Sequence, residues 1–78
     1  KGQKEMTYRY VDRQSGRVVG GDSVIGEPGQ TVEIVYGIPD GYHLDYGQHL
    51  LPSTYTFGDA NNVTKTVYVT KNISYGSL

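Results

Sequence analysis

Large apolar side chains recur at every second position near the start of the chain. Met6, Tyr8 and Tyr10 form this series, and mostly polar residues lie between them. A period of two residues is typical of a β-strand with one buried face, and tyrosine is a common strand residue. The pattern predicts a first strand over Met6–Asp12, in which Tyr8 and Tyr10 begin the hydrophobic core.

A turn and a second strand follow directly. Asp12 can bond the backbone of a turn, and Gly16 accepts the backbone angles that a tight turn needs. The pair Val18-Val19 then lies near the start of a second predicted strand, from about Arg17 to Ile25. The two segments together predict an N-terminal β-hairpin. Gly20-Gly21 inside the second strand predicts a bulge, a bend or a close backbone approach.

The middle of the chain alternates turn signals with short extended segments. Pro28-Gly29 favours a type II turn, because proline fixes φ at the second position and glycine accepts the positive φ of the third. Gln30–Tyr36 reads as extended, with a single helical turn between Gln30 and Ile38 as the alternative. Asp40-Gly41 is a strong turn pair.

Three further strands are predicted after residue 41. They cover Tyr42–Tyr46, Ser53–Phe57 and Val63–Thr70, and Leu50-Leu51 lies between the first two. We expect these leucines to close one end of the core. No stretch has apolar residues at helical spacing over three turns. Residues 6–70 are therefore predicted to form one mostly β domain, with 1–5 as a flexible lead-in and 71–78 as a tail or linker.

Composition narrows the functional classes. The 78 residues contain no cysteine, which excludes a disulfide framework and a thiolate metal site. The net charge of −1 comes without a basic run, which disfavours nucleic-acid binding. No apolar run approaches the roughly 20 residues of a membrane-spanning helix, so no membrane insertion is predicted. Since the first residue is lysine, we expect the chain to be a domain of a longer protein.

The short motifs occur in an order that resembles a known family. Along the chain they are Tyr8-x-Tyr10-Val11-Asp12, Ser15-Gly16, Gly26-x-Pro28-Gly29, Ile38-Pro39-Asp40-Gly41-Tyr42-His43-Leu44, Leu51–Asp59 and Val67-Tyr68-Val69. Each motif alone is short. Their order and spacing over Thr7–Thr70 are similar to the mucin-binding-protein (MucBP-like) repeats of cell-surface adhesins from lactobacilli and related Gram-positive bacteria.

This resemblance implies a fold and a function. The family's modules are related to the β-grasp (ubiquitin-like) fold, so the expected class is α+β but mostly β, with a mixed sheet and at most a short helix. The segment between Gly29 and Tyr42 is shorter than in the members that place a helix there. The implied function is a non-enzymatic adhesion repeat. It would be extracellular, anchored to the cell wall through its parent protein, and would bind mucin glycoproteins or their glycans beside neighbouring repeats.

Tyrosine supplies the candidate binding residues. Eight tyrosines cannot all be buried in so small a domain. An exposed ring offers a flat apolar face with a polar rim to a sugar or a protein. The predicted contacts are Tyr46, His43 and Tyr55. The simpler interpretation of any single tyrosine is that it covers a strand face and pairs across strands.

The sequence predicts no catalytic or metal centre. The serines have no evident base and no nucleophile-elbow pattern. His43 and His49, with two aspartates nearby, would have to converge with further ligands to bind a metal. Asp59–Asn62 lacks the length and the closing glutamate of an EF-hand calcium loop. We therefore expect no cofactor, no metal and no enzymatic activity.

Two other functions stay open. In the first, the domain is a structural spacer that carries a distal binding domain away from the wall, and Tyr75 contacts the next repeat. In the second, the domain binds a host protein, such as an immunoglobulin, by adding a strand to an exposed sheet edge.

Overall fold

The computed structural model describes residues 2–45, 47 and 51–73. Their strands are β1 (Lys4–Asp12), β2 (Val18–Gly26), β3 (Thr31–Glu33), β4 (Tyr42–Leu44), β5 (Thr54–Thr56) and β6 (Asn62–Lys71). The described part of the chain contains no helix, and so none that is long and apolar enough to cross a membrane. The fold is all-β over these residues, which confirms the mostly β prediction and corrects its α+β part.

The main sheet has four strands in the order β2-β1-β6-β4. β1 and β2 form the predicted antiparallel hairpin. β1 and β6 pair in parallel, and β4 adds antiparallel to the last three residues of β6. The sheet is therefore mixed, as predicted. β3 and β5 pair with each other as a separate two-stranded antiparallel sheet.

The sequence explains the turn between β1 and β2. The Asp12 carboxylate accepts a hydrogen bond from the Gln14 backbone N–H at 2.9 Å. The Gly16 N–H donates to the Asp12 carbonyl oxygen at 2.7 Å. The register of the hairpin shifts between Tyr10 and Val11, so that Val19 is left without a partner. This bulge lies one residue before Gly20-Gly21, the pair at which the sequence predicted a bulge, a bend or a close backbone approach.

The turn after β2 also follows its sequence. The Gln30 N–H donates to the Glu27 carbonyl oxygen at 2.9 Å. Gly29 has a φ of 87°, as the third position of a type II turn requires. Pro28 occupies the second position, so the predicted turn is confirmed.

The core lies against one face of the main sheet. Tyr8 and Tyr10 are each 2% exposed, which confirms that they begin the core. Leu51 packs against the same cluster, as predicted, whereas Leu50 lies outside the described residues. The buried apolar residues are Met6, Tyr8, Tyr10, Ile34, Phe57, Val67 and Val69.

Residues 34–39 pass over the core with no regular secondary structure. Two hydroxyl groups from β1 hold their backbone. The Tyr8 hydroxyl donates to the Val35 carbonyl oxygen at 2.7 Å, and the Tyr10 hydroxyl accepts from the Gly37 N–H at 2.7 Å. These bonds satisfy backbone groups that a helix or a strand pair would otherwise satisfy. The extended prediction for Gln30–Tyr36 is confirmed only within β3, and the alternative helical turn does not form.

The other strand ends differ from prediction by a few residues. β1 begins at Lys4, inside the predicted lead-in, and β6 includes Lys71 at its end. β4 and β5 are each three residues long, shorter than predicted.

Candidate functional site

Two hollows lie on the described surface. The first, called here the tyrosine cleft, has a volume of about 230 Å³. It is lined by Met6, Tyr8, Ile34, Tyr36, Leu51, Pro52, Tyr55, Lys65 and Thr66. The second, called here the polar depression, is a wide open hollow of about 860 Å³. It is lined by Gln14, His43, Asp45, Thr70, Lys71, Asn72 and Ile73.

Three separate elements bring the rings of the tyrosine cleft together. Tyr8 comes from β1, Tyr36 from the segment after β3, and Tyr55 from β5. The Tyr8 and Tyr36 ring centroids are 5.6 Å apart. Tyr55 packs edge-on against the buried Phe57, with centroids 5.0 Å apart. The Tyr36 hydroxyl donates to the Pro52 carbonyl oxygen at 2.7 Å, which joins two walls of the cleft.

Burial raises the pKa of three tyrosine hydroxyls above its usual value. Desolvation raises the pKa of Tyr8, and the negative charge of Asp22 raises it further. Desolvation likewise raises the pKa of Tyr10, although its hydrogen bond from Gly37 opposes the shift, and it raises the pKa of Tyr36. Tyr8 and Tyr36 therefore act as hydrogen-bond donors over the whole neutral range.

Lys65 occupies an unusual position in β6. It pairs in register with Tyr8, and its neighbours at alternate positions, Val63 and Val67, pair with Met6 and Tyr10. Alternate residues of a strand share a face, so Lys65 stands on the core-facing side of the sheet. It is nevertheless exposed, at the rim of the tyrosine cleft. The structure records no ion pair or hydrogen bond for Lys65 with any described residue.

Hydrogen bonds from three residues hold the Asp45 side chain of the polar depression. It accepts hydrogen bonds from the Thr70 hydroxyl at 2.9 Å, from Arg13 at 3.1 Å and from the Gly47 N–H at 3.1 Å. The Thr70 bond, together with the bond and charge of Arg13, holds the pKa of Asp45 below its usual value against a smaller opposing effect of desolvation. The carboxylate is thus ionised at neutral pH.

The rest of the depression presents groups of mixed hydrogen-bonding character. His43 Nδ1 lies 2.6 Å from Asn72 Oδ1. Beside the depression, the Arg13 guanidinium that bonds Asp45 stacks 4.1 Å above the Tyr68 ring, a cation–π contact. Amide, imidazole, carboxylate and ammonium groups therefore meet on one open surface.

The two hollows lie on opposite faces of the main sheet. Val69 is fully buried, so its neighbour Thr70 faces away from the core, and His43, which pairs with Thr70, does so too. Lys65 faces the core and is five residues from Thr70 along β6, a spacing of about 16 Å.

The two predicted binding residues that the structure describes lie in different hollows. Tyr55 lies in the tyrosine cleft and His43 in the polar depression. Tyr46, the third predicted contact, and His49 lie outside the described residues. The described residues hold no group of three His, Cys, Asp or Glu side chains that is close enough for a metal ion.

Several lining residues were not predicted from the sequence. Tyr36 and Asn72 join the hollows through tertiary contacts that no local pattern reports. Lys65 had a usable signal, because it interrupts the alternating series of Val63, Val67 and Val69.

The sequence matches no protein-family model, and no curated protein is significantly similar to it.

Proposed function

We propose that this chain is a non-enzymatic extracellular adhesion module of a bacterial surface protein, which binds mucin glycoproteins as one repeat of a larger adhesin. The polar depression is the observation that carries the proposal. Its Gln14 and Asn72 amides, Asp45 carboxylate and Lys71 ammonium lie on an open surface. Together they offer donors and acceptors to the many hydroxyls of a sugar, and an open hollow admits the end of a branched glycan.

The β-grasp fold is part of this proposal. The parallel pair of β1 and β6 at the centre of a mixed sheet, with a hairpin strand on one side, supports it. The segment of residues 34–39 then occupies the place where longer members of the resembling family carry a helix.

The strand directions support a repeat. Because β1 and β6 run parallel, the chain enters the main sheet near Lys4 and leaves it near Lys71 at the opposite end. Copies joined in series therefore extend along one axis, and weak single-site binding gains strength from several linked sites.

An amide NMR titration with purified mucin O-glycans tests the proposal. We expect shift changes around 43–45 and 70–73. Gln14→Ala should weaken binding about fivefold, the value of one hydrogen bond, and it removes no side-chain contact that holds the described fold together. Tyr55→Phe, in the other hollow, is the matched control and should bind as wild type does. An unshifted spectrum at millimolar glycan would contradict the proposal.

A structural spacer is the second candidate, favoured by the same opposite-end geometry and by principal-axis extents of 55 × 20 × 18 Å. A spacer would give no glycan shifts, yet would still extend a tandem array.

A further inference from the structure

The tyrosine cleft has few free polar groups. The Tyr8 hydroxyl is bonded to Val35 and the Tyr36 hydroxyl to Pro52. The side chains of Met6, Ile34 and Leu51 add only apolar wall. A sugar ring placed here would leave most of its hydroxyls unpaired, which costs binding free energy. The occupant that suits this cleft is largely apolar.

The groups that remain free are one hydroxyl and one cation. Tyr55 makes no hydrogen bond through its hydroxyl to another described residue, and Lys65 has no ionic partner among them. A polyproline II segment offers apolar rings and exposed carbonyl oxygens, and it docks in aromatic-lined grooves. One of its carbonyl groups can accept from Tyr55 while a proline ring packs between Tyr36 and Tyr55.

Lys65 favours a bound peptide that carries a negative charge. A core-facing position normally carries an apolar residue, yet here an exposed ammonium group stands at the rim, opposite Tyr8 in register. An acidic side chain flanking the proline would pair with it through a charge-assisted hydrogen bond.

We propose that the tyrosine cleft binds an extended, proline-rich peptide that carries a carboxylate side chain next to the inserted proline. The volume of about 230 Å³ fits one or two side chains rather than a folded partner. The cleft and the polar depression lie on opposite faces of the sheet. Peptide binding in the cleft therefore does not depend on glycan binding in the polar depression, and each can be tested separately.

A pair of capped peptides tests the charge requirement by NMR titration. Each has a run of prolines interrupted at its centre, in one by glutamate and in the other by lysine. The glutamate peptide should shift the amides of Tyr36, Tyr55 and Lys65 and should bind at least about fivefold tighter than the lysine peptide. This preference should shrink as salt rises, because exposed charges are screened.

Two variants locate the contacts. Lys65→Glu should reverse the preference, so that the lysine peptide binds tighter. Tyr55→Phe keeps the ring and should weaken both peptides about fivefold, the loss of one hydrogen bond. Gln14→Ala, on the other face, is the control and should leave both affinities unchanged. Because Lys65 and the Tyr55 hydroxyl have no partners in the described fold, both variants should keep a wild-type spectrum.

Three results would overturn the proposal. The first is no shift with either peptide at millimolar concentration. The second is equal binding of both peptides with no effect of Lys65→Glu. The third is a neutral oligosaccharide that binds the cleft and loses affinity in Tyr55→Phe, since that would make the cleft a sugar site.

Discussion

At the scale of single residues, Tyr8 and Tyr10 contribute through their hydroxyls as well as their rings. Their rings meet edge to face, with centroids 6.0 Å apart. One hydroxyl donates to Val35 and the other accepts from Gly37. A phenylalanine pair would fill the same core space but would leave the segment over the core without these two bonds.

Tyr8→Phe should lower the free energy of unfolding by about 1–2 kcal/mol at pH 7, because it removes one bond and leaves the Val35 carbonyl oxygen without its partner. Urea unfolding followed by circular dichroism measures this. Tyr55→Phe is the control and should change stability by less than about 0.5 kcal/mol, since its hydroxyl has no bond within the described chain.

Tyr8→Phe should also change how stability depends on pH under alkaline conditions. The folded pKa of Tyr8 is raised above 10.0, so the unfolded chain loses its proton first. The contribution of the protonated Tyr8 hydroxyl to the free energy of unfolding is complete below pH 10, and it is lost as the pH rises through the folded pKa. The stability gap between wild type and Tyr8→Phe should therefore narrow above pH 10, and a constant gap would show that Tyr8 does not titrate with unfolding.

The sequence was sufficient to predict the burial of Tyr8 and Tyr10 but not their partners. Burial follows from a two-residue period that any strand imposes. The partners Val35 and Gly37 are 27 residues away from them, and their position depends on how β3 leads into β4. Tyr55 was among the predicted contacts and Tyr36 was not, although both line the tyrosine cleft. No local sequence pattern shows which tyrosines will share a surface.

At the scale of elements, the end of β2 is packed closely against Phe57, the residue that follows β5. A Cβ atom added to Gly26 would lie 2.6 Å from a ring carbon of Phe57, and Phe57 is only 3% exposed. The ring has little space to move because it belongs to the core.

Gly26→Ala should therefore destabilise the fold by about 1–3 kcal/mol, the usual effect of overpacking. The control is Gly58→Ala, where an added Cβ meets nothing within 4 Å. A comparison of the two urea midpoints separates overpacking from the general effect of a glycine replacement. Equal midpoints would show that β5 shifts freely away from β2.

The outer edge of β2 carries one charged side chain. β2 is an edge strand of the main sheet, and Asp22 is its only charged residue. The Asp22 carboxylate accepts a hydrogen bond from the Ser23 N–H at 2.8 Å. Exposed edges pair with other strands unless charges or covered amides prevent it.

Asp22→Thr should increase self-association, because it frees the Ser23 N–H and removes the charge. Sedimentation equilibrium should show an average mass that rises with concentration toward the dimer. The matched control is Glu5→Thr, which removes the same charge from β1, a strand paired on both sides. If neither variant associates more than wild type does, Asp22 does not guard this edge.

Element types were more predictable than the hollows. The hairpin, the turns and the last strand follow from alternation and from proline and glycine positions. The tyrosine cleft needs the parallel register of β1 and β6, which sets Lys65 beside Tyr8. Sequence periodicity does not fix which strands are neighbours, so this pairing, and the separation of His43 from Tyr55, required the structure.

At the scale of the whole molecule, the parallel first and last strands set how copies can be joined. A tandem protein of two linked copies should have a maximum dimension close to twice the 55 Å long axis of one copy, because the chain enters and leaves at opposite ends of the sheet. Small-angle X-ray scattering measures this dimension. A value close to that of a single copy would mean that the copies fold back on each other.

The same two-copy protein distinguishes adhesion from a passive spacer role. Two linked binding sites should raise retention on a mucin surface by about 100-fold or more over one copy, because the second contact becomes intramolecular. A tandem of Gln14→Ala copies keeps the length and weakens each site, so its retention should fall by more than the fivefold loss of a single copy. If the wild-type tandem is extended but is retained no better than one copy, length is its only contribution and the spacer function is favoured.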